Sequence, residues 1–262
     1  MEWNKTNDLM VENLSVRFKT SHGVVDAVKD VSIRVRPGTI HALVGESGSG
    51  KSVTSLTIMN LLAGNGKVTG GKVYLGETDL LHLTRRNRRN IYGSRIGMIF
   101  QDPSAALDPL FTVENLMLEG LCHHGMSKAK AREVAINSLK AVNMPQPEYI
   151  MKKRPFELSG GMCQRVMIAI VMAMHPEFLI ADEPTTALDV TVQKQILEEI
   201  YHLSKNEGVG VLFITHDLGV VAEIADEVSI MQNGVIVEHG TVDQIFYHAE
   251  HSYTKKLLDA VL

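Results

Sequence analysis

The chain has 262 residues, 45% of them hydrophobic, and a formal net charge of −4, so it holds enough apolar material for one large core or a core with a subdomain. Without a long basic run, charge alone gives no case for a nucleic-acid partner, and the two cysteines, Cys122 and Cys163, show neither a pairing pattern nor metal spacing, which points to a reducing compartment. The longest strongly apolar stretch, Val166 to Met174, falls far short of the ~20 residues that span a bilayer, and MEWNKTNDLM lacks the basic and apolar regions of a signal peptide, so any membrane attachment is expected to come through a partner.

In chain order, LMVENLSVRF and VVDAVKDVSIRVR read as strands of an antiparallel β layer, the second reaching Pro37-Gly38. TIHALV, from Thr39 to Val44, reads as a buried strand, and SVTSLTIMNLL, which follows the loop after it, as a helix. KVYLGETDL continues the β layer, RRNRRN from Arg85 to Asn90 reads as a solvated helical face, and RIGMIFQ is a strand ending at Gln101. From Pro103 to Pro155 the pattern turns helical: VENLMLEGL and KAKAREVAINSLKAV are interrupted by Met144-Pro145-Gln146-Pro147. A helical run, MCQRVMIAIVMAM, follows a small-residue turn, LSGGM. Strands resume at FLIAD and GVLFIT, separated by a long helix after Asp189, and VSIMQNGVIVEHG reads as a hairpin turning at Asn233-Gly234. Strands alternating with helices argue for a mostly parallel sheet.

The loop after the Thr39–Val44 strand is GESGSGKS, a match to G-x-x-x-x-G-K-S/T in its proper strand–loop–helix setting. Gly45, Gly48 and Gly50 allow a tight turn and a close approach to phosphate oxygens. The backbone N–H groups from Gly45, Glu46, Ser47, Gly48 and Ser49 into Gly50 and Val53 stand at a helix N-terminus, where an anion is favoured. Lys51 would neutralise β- and γ-phosphates, and Ser52 would offer its hydroxyl to Mg²⁺. In FLIADEP an apolar strand delivers two acids: Asp182 suits Mg²⁺ coordination, and Glu183 is the candidate to orient or deprotonate an attacking water.

With these residues in place, the chain resembles the nucleotide-binding subunit of an ABC transporter. LSGGM at Leu158 to Met162 is similar to the family's signature, Gln101 in FQDP to its Q-loop, TTALD ending at Asp189 to its D-loop, and His216 in FITHD to its switch histidine. Phe18 stands where family members stack an aromatic on adenine. The resemblance runs over nearly the whole chain. It implies an α/β fold, an ABC-type P-loop NTPase with a RecA-like mostly parallel core, an antiparallel β subdomain and an inserted helical subdomain. The expected division of the single domain 1–262 is core and β layer at 8–102 and 176–262, and helical subdomain at 103–175.

The resemblance also implies roles. ATP and Mg²⁺ are the expected cofactors, the metal held by Ser52, Asp182 and Gln101. Ser159, Gly160 and Gly161, placed before a helix, would cap the γ-phosphate of a facing subunit, so each site is composite. Glu183 and His216 would arrange the water, with Gln101 and Lys51 completing the catalytic group. Two residues keep a second reading: Asp189 is equally a helix N-cap, and Phe18 has the alternative of a core aromatic closing a strand. The neighbours Cys122, His123 and His124 diverge on a helix rather than converge on a metal, and His248 and His251 suit a polar helix terminus.

Met162 replaces the usual signature Gln while leaving the Ser and Gly positions intact. LSGGM with QRVMIA, SAALDPLFTV after the Q-loop and HSYTKKLL at His251 to Leu258 are similar to the dipeptide, oligopeptide and nickel importer branch. Many peptide-importing members continue well past that last segment, so a chain ending at Leu262 leans toward the nickel-type members. The implied partners are a second ATP-binding subunit, identical or paralogous, two membrane permeases and an extracytoplasmic solute-binding protein, with no nucleic acid, at the cytoplasmic face of the membrane. The rival readings are an ABC ATPase acting on nucleic acid or ribosomes, which would carry tandem cassettes, insertions or basic arms, and a regulatory subunit that holds ATP without hydrolysing it, against which Glu183 and His216 stand.

Overall fold

Apolar residues dominate the short interior strands and, from Leu14 on, alternate along the first long one, and the structure sorts them accordingly. The computed structural model describes residues 7–21, 23–185 and 188–260. The MEWNKT start and Thr186-Ala187 of the TTALD motif lie outside the described residues.

The elements, in chain order, are β1 (Leu9–Thr20), β2 (Gly23–Val35), β3 (Ile40–Val44), α1 (Lys51–Ile58), β4 (Gly66–Leu75), β5 (Thr78–Asp79), α2 (Arg85–Ile91), β6 (Ile96–Ile99), α3 (Pro103–Ala106), α4 (Val113–His123) and α5 (Lys128–Ala141). They continue with α6 (Pro147–Ile150), α7 (Gly160–Ala173), β7 (Phe178–Asp182), α8 (Val190–Glu207), β8 (Gly210–Thr215), α9 (Leu218–Ile224), β9 (Glu227–Gln232), β10 (Val235–Thr241), α10 (Val242–His248) and α11 (Ser252–Asp259). The chain divides into two compact units, one running up to Arg88 and resuming at Leu203, the other Arg89–His202.

In the first unit, β1 pairs antiparallel with β2 on one side and β4 on the other, and β5 extends the layer beyond β4. A second set of strands centres on β3, whose every residue is buried, with β8 and β9 both parallel to it. Full burial on both faces is why GVLFIT and, apart from the hydrogen-bonded His41, IHALV carry apolar runs rather than an alternation. β10 folds back antiparallel on β9 through Asn233 (φ 51°) and Gly234 (φ 85°), the two left-handed positions of a type I′ turn, as the Asn-Gly pair demands. Helices α9, α10 and α11 cover this layer: Leu218, Val221, Ile245, Tyr253 and Leu258 form one apolar cluster with Ala42 and Val44 of β3.

In the second unit β6 and β7 pair in parallel, Ile99 opposite Ala181. Helix α7 packs against α3, α4, α5 and β6. It approaches β6 so closely that a Cβ on Gly97 would sit 2.5 Å from Val171 Cγ1. Side-chain caps open these helices where their sequences supply them, from Asp102, Thr112, Ser127 and Ser159.

One expected element is shorter than its pattern. The helix after the glycine-rich loop stops at Ile58 instead of running to Leu62. Asn60 takes the left-handed conformation (φ 57°) and the Leu61 N–H reaches back to Leu56 O at 2.8 Å, a Schellman-type stop that an apolar stripe alone does not reveal. Among the described residues, no helix is long and apolar enough to cross a membrane.

Candidate functional site

The glycine-rich loop opens directly on the buried end of β3. Gly45 is needed because a side chain there would run into the Met231 carbonyl, and Gly50 because its φ is 111° and a Cβ would lie 2.6 Å from Ala27 O. The loop is closed by Ser49 N–H donating to Glu46 O at 3.2 Å, and it is held from outside by Gly234 N–H donating to Ser49 O at 2.8 Å. Glu46, Ser47 and Gly48 are exposed, while Ser49 and Gly50 are buried.

Lys51 opens α1 and is only 5% exposed. Its ammonium donates to Gly45 O at 2.7 Å and Glu46 O at 2.9 Å, so a buried cation lies inside the curve of the loop with its charge shared among carbonyls. Ser52 and Val53 follow it, half-buried, on the first turn of α1. The arrangement is a cationic concavity at a helix N-terminus, suited to polyphosphate.

The same unit brings His216 to this edge. Strands β3 and β8 run in parallel with Val44 opposite Thr215, so Gly45 and His216 are the first residues beyond two adjacent strand ends. His216 is exposed there, and Asp217 beside it caps α9, accepting from Gly219 N at 2.9 Å and Val220 N at 3.3 Å. Crevices at the carboxyl ends of parallel strands are where open α/β sheets bind ligands.

In the second unit β7 delivers Asp182, which is 4% exposed, and the chain then turns at Glu183 in the left-handed conformation (φ 47°). That geometry is strained for a residue with a Cβ and persists only where neighbours enforce it. Two glutamines do so. Gln101 Nε2 donates to Glu183 Oε2 at 3.1 Å, and Gln164 Nε2 donates to the Pro184 carbonyl at 2.7 Å. Two residues that lie far apart in sequence, the Q-loop amide and the acid after the apolar strand, are thus in direct contact.

The signature turn is built as a helix start. Ser159 caps α7, accepting from Met162 N at 3.3 Å, and Ser159 and Gly160 are exposed, with Gly161 half-buried. Asp189 is exposed and caps α8: its Oδ1 accepts from Val192 N at 3.1 Å, the local role that a carboxylate before a helix allows. Phe18 is half-buried near the end of β1, its ring against Gly66, where a Cβ would lie 2.6 Å from Cε1. His248 ends α10 and His251 caps α11, accepting from Tyr253 N at 3.2 Å through Nδ1. Among the described residues no three His, Cys, Asp or Glu side chains converge as a metal cluster.

Two contacts at the site were not singled out from sequence. One is Gln164, 1% exposed in the middle of an apolar helix, where a polar side chain is itself a signal. The other is Tyr253, whose hydroxyl accepts the Glu46 N–H at 3.1 Å; burial holds its phenol above the ordinary pKa, so it stays protonated.

Residues 28–186 match the model of the ABC transporter family. The dipeptide transport ATP-binding protein DppD of Bacillus subtilis is 48% identical over 97% of this chain and 76% of its own length. The oligopeptide transport ATP-binding protein OppD of Haemophilus influenzae is 46% identical over 97% of this chain and 78% of its own. Among solved structures, the ATP-binding cassette MJ0796, a dimer in a post-hydrolysis state bound to ADP and Pi, superposes with a TM-score of 0.80 at 28% identity, covering 89% of this chain and 98% of that one.

Proposed function

The chain belongs to the ABC transporter family, as an ATP-binding subunit that hydrolyses ATP on an ABC-type P-loop NTPase fold, and from that premise we propose that it powers peptide import through a membrane permease. The observation that carries the reading is the buried Lys51 ammonium set inside the Gly45–Ser52 loop at the end of β3. Peptide is favoured over nickel as cargo because both relatives described above are peptide transport proteins.

The residues divide the work. The loop from Gly45 to Val53 holds the triphosphate through N–H groups and Lys51, and Phe18 offers its half-exposed ring to adenine. Ser52 and Asp182 are hard oxygen donors, and Gln101 adds an amide oxygen. That set fits Mg²⁺, which binds one or two carboxylates together with substrate phosphates rather than a full protein cage. When bound, Mg²⁺ neutralises charge building on the β- and γ-phosphate oxygens. Glu183 accepts a proton from water as the water oxygen attacks the γ-phosphorus and the bond to the β–γ bridging oxygen breaks. His216 donates to the γ-phosphate, and Gln101 keeps the Glu183 carboxylate aimed.

Ser159, Gly160 and Gly161 cap the γ-phosphate held by a facing subunit, with Asp189 at that subunit contact in addition to its capping role. Two ATP molecules then join two subunits, and hydrolysis removes the group that the signature helix grips. We take 103–175 as the helical subdomain, moving relative to the core at 8–102 and 176–262, with Gln101 at the junction. The working assembly is two ATP-binding subunits, two permeases and a solute-binding protein, at the cytoplasmic face of the membrane.

The test is reconstitution with the permease in liposomes. ATPase activity is expected to rise when a peptide-loaded solute-binding protein is supplied. Stimulation by a nickel-loaded binding protein with none by peptide, or no stimulation by any, would contradict peptide import.

A further inference from the structure

The C-terminal HSYT segment takes no part in the chemistry described above, yet it touches the phosphate cradle. Tyr253 is 6% exposed and its ring belongs to the apolar cluster that includes Ala42 and Val44, the strand that feeds the loop. Its hydroxyl receives the Glu46 N–H at 3.1 Å. That N–H belongs to the same peptide plane as the Gly45 carbonyl, which accepts from the Lys51 ammonium at 2.7 Å. One planar peptide unit is therefore gripped at both ends, by Tyr253 on its N–H and by Lys51 on its C=O.

We propose that Tyr253 is a positioning residue for the nucleotide, fixing the Gly45–Glu46 peptide plane and through it the place of the Lys51 ammonium. The proposal rests on reading Gly45–Ser52 as the phosphate cradle. A peptide plane gripped only at its carbonyl can rotate, carrying with it an acceptor of the cation. Gripped at both ends it is preorganised, and hydrogen bonds in series through one amide reinforce each other.

The anchor is itself well seated. Glu238 on β10 accepts from Glu250 N at 2.7 Å and His251 N at 3.2 Å, holding the start of α11. The β9–β10 turn meanwhile fixes the far side of the loop through Gly234 N–H and Ser49 O. The exposed tip, Ser47 and Gly48, is thus suspended between two fixed points, Glu46 and Ser49.

The direct test is Tyr253→Phe in the full chain, which keeps the ring in its apolar seat and removes only the hydroxyl. One hydrogen bond's net worth corresponds to about a two- to tenfold change. We expect KM for ATP and the dissociation constant for ADP to rise by about that factor, with kcat changing less. Amide exchange of the peptide containing Glu46 should accelerate by a comparable factor in nucleotide-free protein, while the unfolding midpoint stays close to wild type. Glu238→Ala, which loosens the start of α11 without touching the loop, should shift exchange at Glu46 in the same direction and keeps the proposal testable should the Phe variant fold poorly. Unchanged nucleotide affinity and unchanged Glu46 exchange in either folded variant overturn it, as does a loss of stability alone. Wild-type protein that binds no ATP, or Lys51→Ala that binds it normally, would instead overturn the reading of the loop as the cradle.

Discussion

Gln164, inside the helix that Ser159 caps, donates from Nε2 to the Pro184 carbonyl at 2.7 Å. The signature helix of this chain is thereby tied to the turn that carries its own Glu183. Under the composite-site reading, Ser159 and Glu183 of one chain serve two different ATP molecules, so Gln164 is a physical link between the two sites. Replacing it by Leu leaves a buried carbonyl without its donor, a cost of about 1–3 kcal/mol, at a turn already strained at Glu183. The expected result is a lower unfolding midpoint and, where about 1.4 kcal/mol of that cost falls on the transition state through a displaced Glu183, a fall in kcat of about tenfold with little change in KM for ATP. Steady-state kinetics check it, and a Gln164→Leu enzyme with normal kcat would sever the link.

Asp189 separates two roles that sequence alone leaves together. Asp189→Ala removes the cap on Val192 N and should destabilise the protein by about 1 kcal/mol, a drop of a few degrees in the unfolding midpoint. Asp189→Asn keeps the cap and should restore stability. If the Asn variant is stable yet slow in ATP hydrolysis, the carboxylate serves the subunit contact as well; full recovery of rate with stability would confine Asp189 to capping.

Acid sensitivity should trace in part to Glu227. The neighbouring His41 ring and then the Arg36 guanidinium, 2.7 Å away, hold its carboxyl below the ordinary carboxylate range, against the opposing effect of burial. A carboxylate with a lowered folded pKa contributes stability that is fully present above its unfolded value of about 4.3 and is lost as pH falls through the folded value. Thermal unfolding across pH 6 to 3 should therefore show a shallower acid decline in Glu227→Gln than in wild type. Parallel declines would remove Glu227 from the account.

Short-range features of this site are legible in the sequence. The glycine-rich loop, the acids after FLIA and the Asn233-Gly234 turn each depend on neighbours in sequence, where residue type and backbone conformation are tightly coupled. The Gln101–Glu183 bond was not, because it depends on the pairing of β6 with β7 and on a left-handed Glu183 that no propensity favours. Tyr253 was visible only as part of a branch-specific segment; its role follows from α11 folding back onto β3, a contact with Glu46 across most of the chain. The early stop of α1 was hidden for the opposite reason: the apolar stripe continues past Ile58, and one Asn in the left-handed region outweighs it.

The central claim is that ATP, held on the Gly45–Ser52 cradle and cleaved with Glu183 as base, joins two subunits. Glu183→Gln tests it most directly, because the amide removes the proton acceptor while preserving size. Light scattering of the purified variant should show a dimer in ATP with Mg²⁺ and a monomer in ADP, with turnover almost abolished. Turnover near wild type, or a monomer in saturating ATP, would contradict the account.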